Sequence, residues 1–368
     1  MNFEDLFYIL ALQKIEGVGD IVAKKLINHC GSAKEIFSAK SQHLRNIDGI
    51  GEVLLKNLKE KSVFQKAESE LKFIEKENIS VIYFKDKNYP ERLKHCIDGP
   101  VLLFQSGKID FETKKIISIV GTRNITSYGT EFTKKLIEDL AVFNPIIVSG
   151  FAYGVDIVAH QAAMDNNLQT IGVLAHGLNQ IYPKTHKKYV AKMEQNGGFM
   201  TEFWSTSNPD KENFVRRNRI VAGISEATIV IESAEKGGSL ITAELANSYN
   251  KDVFAFPGRA GEILSEGCNG LIKSNRANLM ESAADLMYIM NWNQPEKKKT
   301  TNQIPLLLKL SPEEQSIVNA FENKRQLHVD EICYATNFPI SKTSGHLLQL
   351  EFSNVIKSLP GKIYQLNR

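Results

Sequence analysis

The residues best equipped for chemistry are glycines, hydroxyls and cations gathered in short runs. The first run is Gly121-Thr122-Arg123-Asn124, and the second is Gly150-Phe151-Ala152-Tyr153-Gly154, with Asp156 and His160 close behind. The third is Arg216-Arg217-Asn218-Arg219, and the fourth is Gly237-Gly238-Ser239 followed by Thr242. Glycine lets a ligand come close to the backbone, and amides at a helix mouth attract anions through unpaired N–H groups and the helix dipole. Arginine adds two-pronged recognition of phosphate. Arg216 and Arg219 are spaced to share one helix face. Lys184, in Tyr182-Pro183-Lys184, extends towards another phosphate. Tyr182 or Tyr189 offers a ring for a base to stack on, although Tyr182 beside Pro183 serves equally as a packed loop anchor. The chemistry this set predicts is the gripping of a chain of phosphates rather than the breaking of bonds.

Other chemistries find less support. No segment reads GxGxxG or GxxxxGK[ST], which argues against a dinucleotide and against a P-loop nucleotide. Cys30, Cys96, Cys268 and Cys333 are far apart and form no CxxC pair. Neither a zinc site nor a disulfide framework is expected, and reduced thiols in a cytosol are. No catalytic group, metal or cofactor is therefore assigned.

Loops of this kind need a scaffold that brings them to one place. Apolar runs at 79–84, 100–104, 116–120, 145–149, 169–174, 198–201, 227–232 and 252–256 alternate, from 116 onward, with helical patterns at about 127–141, 154–166, 185–196, 213–224 and 239–250. A charged helix is expected at 66–78. Strands that are apolar throughout, separated by helices, predict a parallel sheet covered on both faces. The four runs then fall at the carboxyl ends of strands, where open α/β sheets bind their ligands. The fold class predicted for 66–292 is α/β: a Rossmann-like, mostly parallel sheet with helices on both faces.

Two smaller domains flank it. Residues 1–65 read as short helices containing a repeat, Leu12 to Gly19 and Leu44 to Gly51, offset by 32 residues. Each copy ends in Gly-apolar-Gly before a helical pattern and resembles a helix-hairpin-helix unit. Its glycines can bring amides to a phosphate, while Glu16, Asp20, Asp48 and Glu52 oppose one. Residues 293–304 (NQPEKKKTTNQI) are polar and read as a linker. Residues 305–368 show three helical patterns and a hairpin turning at Pro360-Gly361, which is a winged-helix-like order. With seven basic and six acidic residues, that domain is less basic than a duplex reader, so a structural or protein-contact role is expected of it.

The bulk properties fit this division. A chain of 368 residues is long for a single domain. The formal net charge of +3 excludes a polybasic coat, so any polyanion site must come from placement. The opening residues carry acids and no basic stretch, and no apolar run is long enough for a membrane span, so a cytoplasmic protein is expected.

The runs VGTRNITSYG, SGFAYGVDIVAH, TIGVLAHGLNQIYP, FVRRNRIVAGIS, GGSLITAELA, VFAFPG and SEGCNGLI follow one another over about 116–280. Taken together they resemble the DNA-processing protein A (DprA, or Smf) family. The resemblance implies a cytoplasmic, non-enzymatic recombination mediator that binds single-stranded DNA and helps load a RecA-type recombinase during natural transformation. It implies a homodimer, with a single-strand-binding protein as a further partner. Carried onto matching positions, the DNA contacts include Arg123, Lys184, Arg216, Arg217, Arg219, Gly238, Ser239 and Thr242, and the reading of the loops adds Gly121, Thr122, Gly150, Asn218 and Gly237. The departures are small: Gly237 in place of a frequent serine, Val155 in place of isoleucine, and His186 where asparagine is common. Only His186 bears on a contact.

Two enzymatic alternatives share this kind of fold or substrate. A nucleotide phosphoribohydrolase on a related fold carries P-G-G-x-G-T-x-x-E, whereas KGGSLITAE here lacks the proline and the second glycine and shifts Glu244. A DNA nuclease would draw on Asp156, His160, Glu202 and Glu232, which show no two-metal spacing. A third reading is a protein-binding scaffold for which DNA is incidental.

Overall fold

The computed structural model describes residues 2–111, 115–292, 310–321, 324, 326–353 and 355–366. The expected linker at 293–304 lies outside them. The chain divides into two compact units, Met1–Gln294 and Pro295–Arg368.

The first unit opens with six helices: α1 (Phe3–Gln13), α2 (Asp20–Cys30), α3 (Ala33–Ser38), α4 (Ser41–Leu44), α5 (Glu52–Asn57) and α6 (Ser62–Lys76). The sequence repeat is a structural one. Gly17 and Gly49 take φ of 87° and 86°, a left-handed conformation open to glycine at little cost. In each hairpin the amide that follows folds back in the same way, Val18 to Ile15 O and Ile50 to Ile47 O, both at 3.1 Å. Ile15, Val18, Ile47 and Ile50 are buried. The hairpin acids are partly spent inside the protein: Asp48 pairs with Lys25, Glu52 with Arg45, and Asp20 accepts the Val101 amide. The helix expected at 66–78 begins earlier, because Val63, Ala67, Glu70 and Ile74 form one buried stripe at helical spacing. It ends where Asn78 turns left-handed and the Ile79 amide returns to Ile74 O at 2.9 Å. The helical module shares its core with Val101, Leu102, Phe104 and Trp204 of the sheet region.

The sheet has nine strands: β1 (Ser80–Tyr83), β2 (Leu102–Gly107), β3 (Ile116–Val120), β4 (Ile146–Ser149), β5 (Thr170–Val173), β6 (Gly197–Thr201), β7 (Ala227–Val230), β8 (Asp252–Ala255) and β9 (Asn278–Leu279). Their order is β1-β2-β6-β5-β4-β3-β7-β8-β9. Every pairing from β6 to β9 is parallel. The exception is the β1–β2 hairpin, which is antiparallel and joins β6 in the same sense. The short strand β9 is absent from the sequence reading; its two residues are exposed and carry no apolar run.

The intervening helices are α7 (Glu91–Lys94), α8 (Ser127–Leu140), α9 (Val155–Asp165), α10 (Lys187–Gln195), α11 (Lys211–Ile224), α12 (Gly238–Ser248), α13 (Glu266–Lys273) and α14 (Ala283–Ile289). Helices α8, α9 and α14 pack around Ile117, Ile119 and Ile229, whereas α11, α12 and α13 pack around Ile116, Val148 and Val230. Those strand residues alternate in sequence, so they belong to opposite faces of the sheet. The all-apolar strands are thus covered on both sides, and mid-strand Ser118 is accommodated by a 2.8 Å bond to Thr228 Oγ1. From β3 the chain winds outward through β4, β5 and β6, then returns to lay β7 on the other flank of β3. The β3/β7 crevice is therefore the topological switch point.

The second unit carries α15 (Pro312–Asn319), β10 (Gln326–His328), α16 (Val329–Thr336), α17 (Ile340–Phe352), β11 (Ile356–Leu359) and β12 (Ile363–Leu366), with strand order β10-β12-β11. Ser311 and Glu314 cap α15 reciprocally at 3.2 and 2.7 Å. Gly361 and Lys362 supply the left-handed turn of the wing. Ile317, Phe321, Leu327, Ile332, Leu347, Leu350 and Ile356 form its core.

Candidate nucleic-acid interface

The loops singled out in the sequence leave the carboxyl ends of adjacent parallel strands and make one crest. Gly121–Arg123 follows β3, Gly150–Gly154 follows β4, the segment leading to Lys184 follows β5, and Gly237–Thr242 lies beyond β7. The switch-point crevice separates the first loop from the last.

Close packing explains the glycines. Gly154 has φ of 75°, and a Cβ there would run into the backbone of Thr122 and Arg123. The Val155 amide, at the start of α9, donates to Thr122 O at 3.1 Å, so the β3 and β4 loops lock together. A Cβ at Gly121 would strike Val155, and one at Gly150 would strike Asp156 and Arg217. At α12 the N-cap Gly237 gives no side-chain cap, and a Cβ on Gly238 would meet nothing within 4 Å. That helix mouth is open to an anion.

The cations divide into two groups. Arg123 is exposed, lies 5.3 Å over the Phe214 ring and has no acidic partner among the described residues. Lys184 is likewise exposed and without an acidic partner there. Arg217 is buried beneath them and donates to Val173 O and, through Nε, to Asn218 Oδ1 at 3.2 Å. Burial lowers its pKa, Asp156 opposes that shift, and nearby Arg123 adds to it. Arg217 thus feels the positive charge of Arg123, with Asp156 as its own counter-charge.

Arg216 and Arg219 do share a helix face, but it turns away from this group. Both donate to Glu202 Oε2, at 2.6 and 2.5 Å, and to Asp20 Oδ2, at 3.2 and 3.0 Å. Arg219 is buried and also donates to Asp98 O, so its guanidinium is consumed in joining α2 to the sheet. Burial pushes the Glu202 carboxyl up to about 7 against the pull of Arg219 and Arg216. Ser239 and Thr242 also differ from the expected arrangement. Both side chains are buried, and the Ser239 hydroxyl donates inward to Ser233 Oγ at 2.9 Å, so what this loop presents at the crest is its backbone.

The side chains around the crest have defined roles. His186 is buried, with Nδ1 3.1 Å from Phe151 O, so it supports the loop from below. Tyr182, 44% exposed, tilts towards Phe214 with centroids 6.1 Å apart. Tyr189 packs against His186. Phe214, which the sequence reading passed over, sits between Arg123 and Tyr182; a lone aromatic two residues before an arginine run was its only signal. Lys236 and Arg259 were also missed. They are exposed on the loops after β7 and β8, without acidic partners among the described residues, and the strand-then-cation pattern would have found them.

The groups a nuclease would need are engaged elsewhere. His160 is fully buried between Thr170 Oγ1 at 2.7 Å and Gly150 O at 2.6 Å, and burial lowers its pKa to about 4. Asp156 accepts the Ala152 amide at 3.2 Å and so orients the start of its helix. Glu232 is bound to Thr126, and Glu202 to the arginines. No group of three or more His, Cys, Asp or Glu among the described residues is arranged to hold a metal ion. Glu244 of the phosphoribohydrolase alternative is exposed and pairs with Arg276 at 3.1 Å.

Residues 80–291 match the model of the DNA recombination-mediator protein A family. The chain belongs to that family. The matched span contains the whole crest, and residues 302–362 match the DprA winged helix domain. Among relatives, Protein Smf of Escherichia coli is 32% identical over 313 residues, 82% of this chain and 81% of that one. The structure of DNA processing protein A from Streptococcus pneumoniae superposes with a TM-score of 0.64 at 29% identity, covering 77% of this chain and 97% of the other. A Helicobacter pylori DNA processing protein A, described for its single-stranded DNA binding mode, superposes with a TM-score of 0.53 at 31% identity, covering 58% of this chain and 95% of the other. As a member of the mediator family, the protein is a DNA recombination mediator. No helix among the described residues is long and apolar enough to cross a membrane.

Proposed function

We propose that the crest binds the backbone of single-stranded DNA without cleaving it, and that the protein passes the bound strand to a RecA-type recombinase. The observation that carries this reading is the meeting of two uncompensated cations, Arg123 and Lys184, with the open amides of the α12 mouth along one sheet edge. Gly121 and Thr122 bring backbone to the same place, and Gly237, Gly238 and the Ser239 amide supply the anion site. Arg217 and Asn218 act from beneath, adding positive potential and holding the loops. Arg219 leaves the proposed contact set, and Arg216 contributes only what its two carboxylates leave free. Phe214 and Tyr182 provide ring faces on which a base can stack without sequence preference.

The protein works in the cytoplasm as a homodimer, with a single-strand-binding protein as a further partner. Two crests on one strand raise the effective concentration of the second contact. The binding described for the Helicobacter pylori relative is consistent with this reading.

Salt titration tests it. Binding of oligothymidine should weaken with salt at a slope of about −0.7 per neutralised phosphate. Arg123→Ala and Lys184→Ala should each lower affinity by about tenfold, the order of one charge-assisted contact, and flatten the slope. Parent-like affinity in both variants at moderate salt would remove the crest as the binding surface.

A further inference from the structure

An acid stands at the centre of a surface read here as binding a polyanion. Glu232 follows β7 at the switch-point crevice and is buried. Its carboxylate takes both donors of one residue across the crevice: the Thr126 amide reaches Oε2 at 2.9 Å and the Thr126 hydroxyl reaches Oε1 at 2.5 Å. Its backbone carbonyl accepts the Thr122 amide at 2.7 Å. One residue just after β7 therefore holds both ends of the segment that carries Arg123. The surroundings are shaped to this contact. Gly129, in the first turn of α8, has no room for a Cβ, which would fall 2.7 Å from the Glu232 carboxylate. The Thr126 hydroxyl also caps α8 at the Gly129 amide, 3.0 Å away.

We infer that Glu232 is a positioning residue for DNA binding: it pins Thr122 and Thr126 so that Arg123 is held at a set distance from the α12 mouth across the β3/β7 crevice. It touches no DNA itself. The segment 122–126 leaves one half of the sheet, and Gly237–Gly238 belongs to the loop that leaves the other. Beside this tie, the strand pairing of β3 and β7 joins the two anion-binding elements. With the tie in place, a strand lying across the crevice meets both at a separation that does not vary, and the cost of ordering them on binding falls.

The inference rests on the reading of the crest as the DNA site, and it makes a prediction of unusual sign. Removing a negative charge from beneath a polyanion site should tighten binding on Coulomb grounds alone. Loss of a positioning contact should weaken it. Glu232→Gln keeps the shape and removes the charge; its carbonyl oxygen can accept from only one of the two Thr126 donors, and its NH2 group stands against the other. The expected result is about tenfold weaker binding of oligothymidine, with the salt slope reduced by about 0.7, the share of one phosphate. The double variant Glu232→Gln/Arg123→Ala should bind no more weakly than Arg123→Ala alone, because Glu232 acts through Arg123. Parent-like or tighter binding by Glu232→Gln, or additive losses in the double variant, would overturn the inference. If Glu232→Gln does not fold, as judged by circular dichroism, Thr126→Val removes the hydroxyl donor from the other side, leaving the amide donor and the charge in place, and Thr126→Ser keeps that hydroxyl. Weak binding by the valine variant and parent-like binding by the serine variant are then expected, and equal binding by the two would overturn the inference. If Arg123→Ala itself binds like the parent, this inference falls; if Lys184→Ala does so too, the crest reading has failed with it.

Discussion

His160 is completely buried, and both its ring nitrogens lie within hydrogen-bond distance of a partner, Thr170 Oγ1 and Gly150 O. Its folded-state pKa of about 4 lies below the ordinary 6.5. As pH falls from 6.5 the unfolded chain takes up the proton first, so stability is lost progressively down to about pH 4. The full contribution is on the order of 3 kcal/mol. His176 and His186, lowered mainly by burial, act in the same direction. Glu202 acts in the opposite one. Its folded value of about 7 lies above the ordinary 4.5, so its contribution is full at acid pH and is lost as pH rises through 7. The two trends oppose each other in the parent protein, so single variants must separate them. The difference in urea-unfolding free energy between parent and His160→Gln should shrink as pH is lowered from 6.5 to 4. A difference independent of pH would show that His160 is not held neutral.

Among the elements, the crest loops differ in what their glycines are for. Gly154 combines a left-handed φ with backbone on the side where a Cβ would stand. Gly154→Ala should cost about 1–3 kcal/mol of stability, seen as a lowered melting temperature. Gly238 is a helical residue with open space around it. Gly238→Ala should leave the melting temperature unchanged or slightly raised. It should nevertheless weaken oligothymidine binding several-fold, because the added methyl stands where a phosphate would approach the amides. Unaltered binding would mean that the α12 mouth does not take a phosphate. Helix α11 shows the same division of labour within one element. Arg217 points under the crest, whereas Arg216 and Arg219, on another face, tie the sheet to the helical module. Arg217 stands one residue from Arg216 and two from Arg219, which on a helix of 3.6 residues per turn rotates it by roughly 100° and 200° from them.

At the scale of the molecule, the helical module belongs to the same compact unit as the sheet, whereas the winged helix forms its own. Trp204 donates to Gln13 at 3.1 Å, and Glu70 accepts both the amide and the hydroxyl of Ser205. Removal of residues 1–76 should therefore expose the core around Leu102 and Phe104 and give an unstable or aggregating protein. Removal of residues 293–368 should leave the first unit folded. Because every proposed contact lies before residue 293, the truncated protein should keep most of its affinity for oligothymidine, and a loss of more than tenfold would place a DNA contact in the winged helix. The near balance of charge in that domain, seven basic residues against six acidic, agrees with this expectation.

Periodicity and turn chemistry are local properties, and what depends on them was legible in the amino-acid order. The alternation of apolar strands with helices, the paired hairpins at Gly17 and Gly49, the wing turning at Gly361, and the position of the crest loops after strand ends all follow from residues close together in the chain. The fate of a charge depends on what lies across the fold. Arg219 resembles Arg123 in sequence, yet Asp20, 199 residues away, consumes it. Glu232 looks like a carboxylate free to hold a metal until Thr126, 106 residues earlier, is seen to occupy it. Only the three-dimensional packing decides such pairings, because burial makes an unpartnered charge costly and the partner that relieves it is distant in sequence.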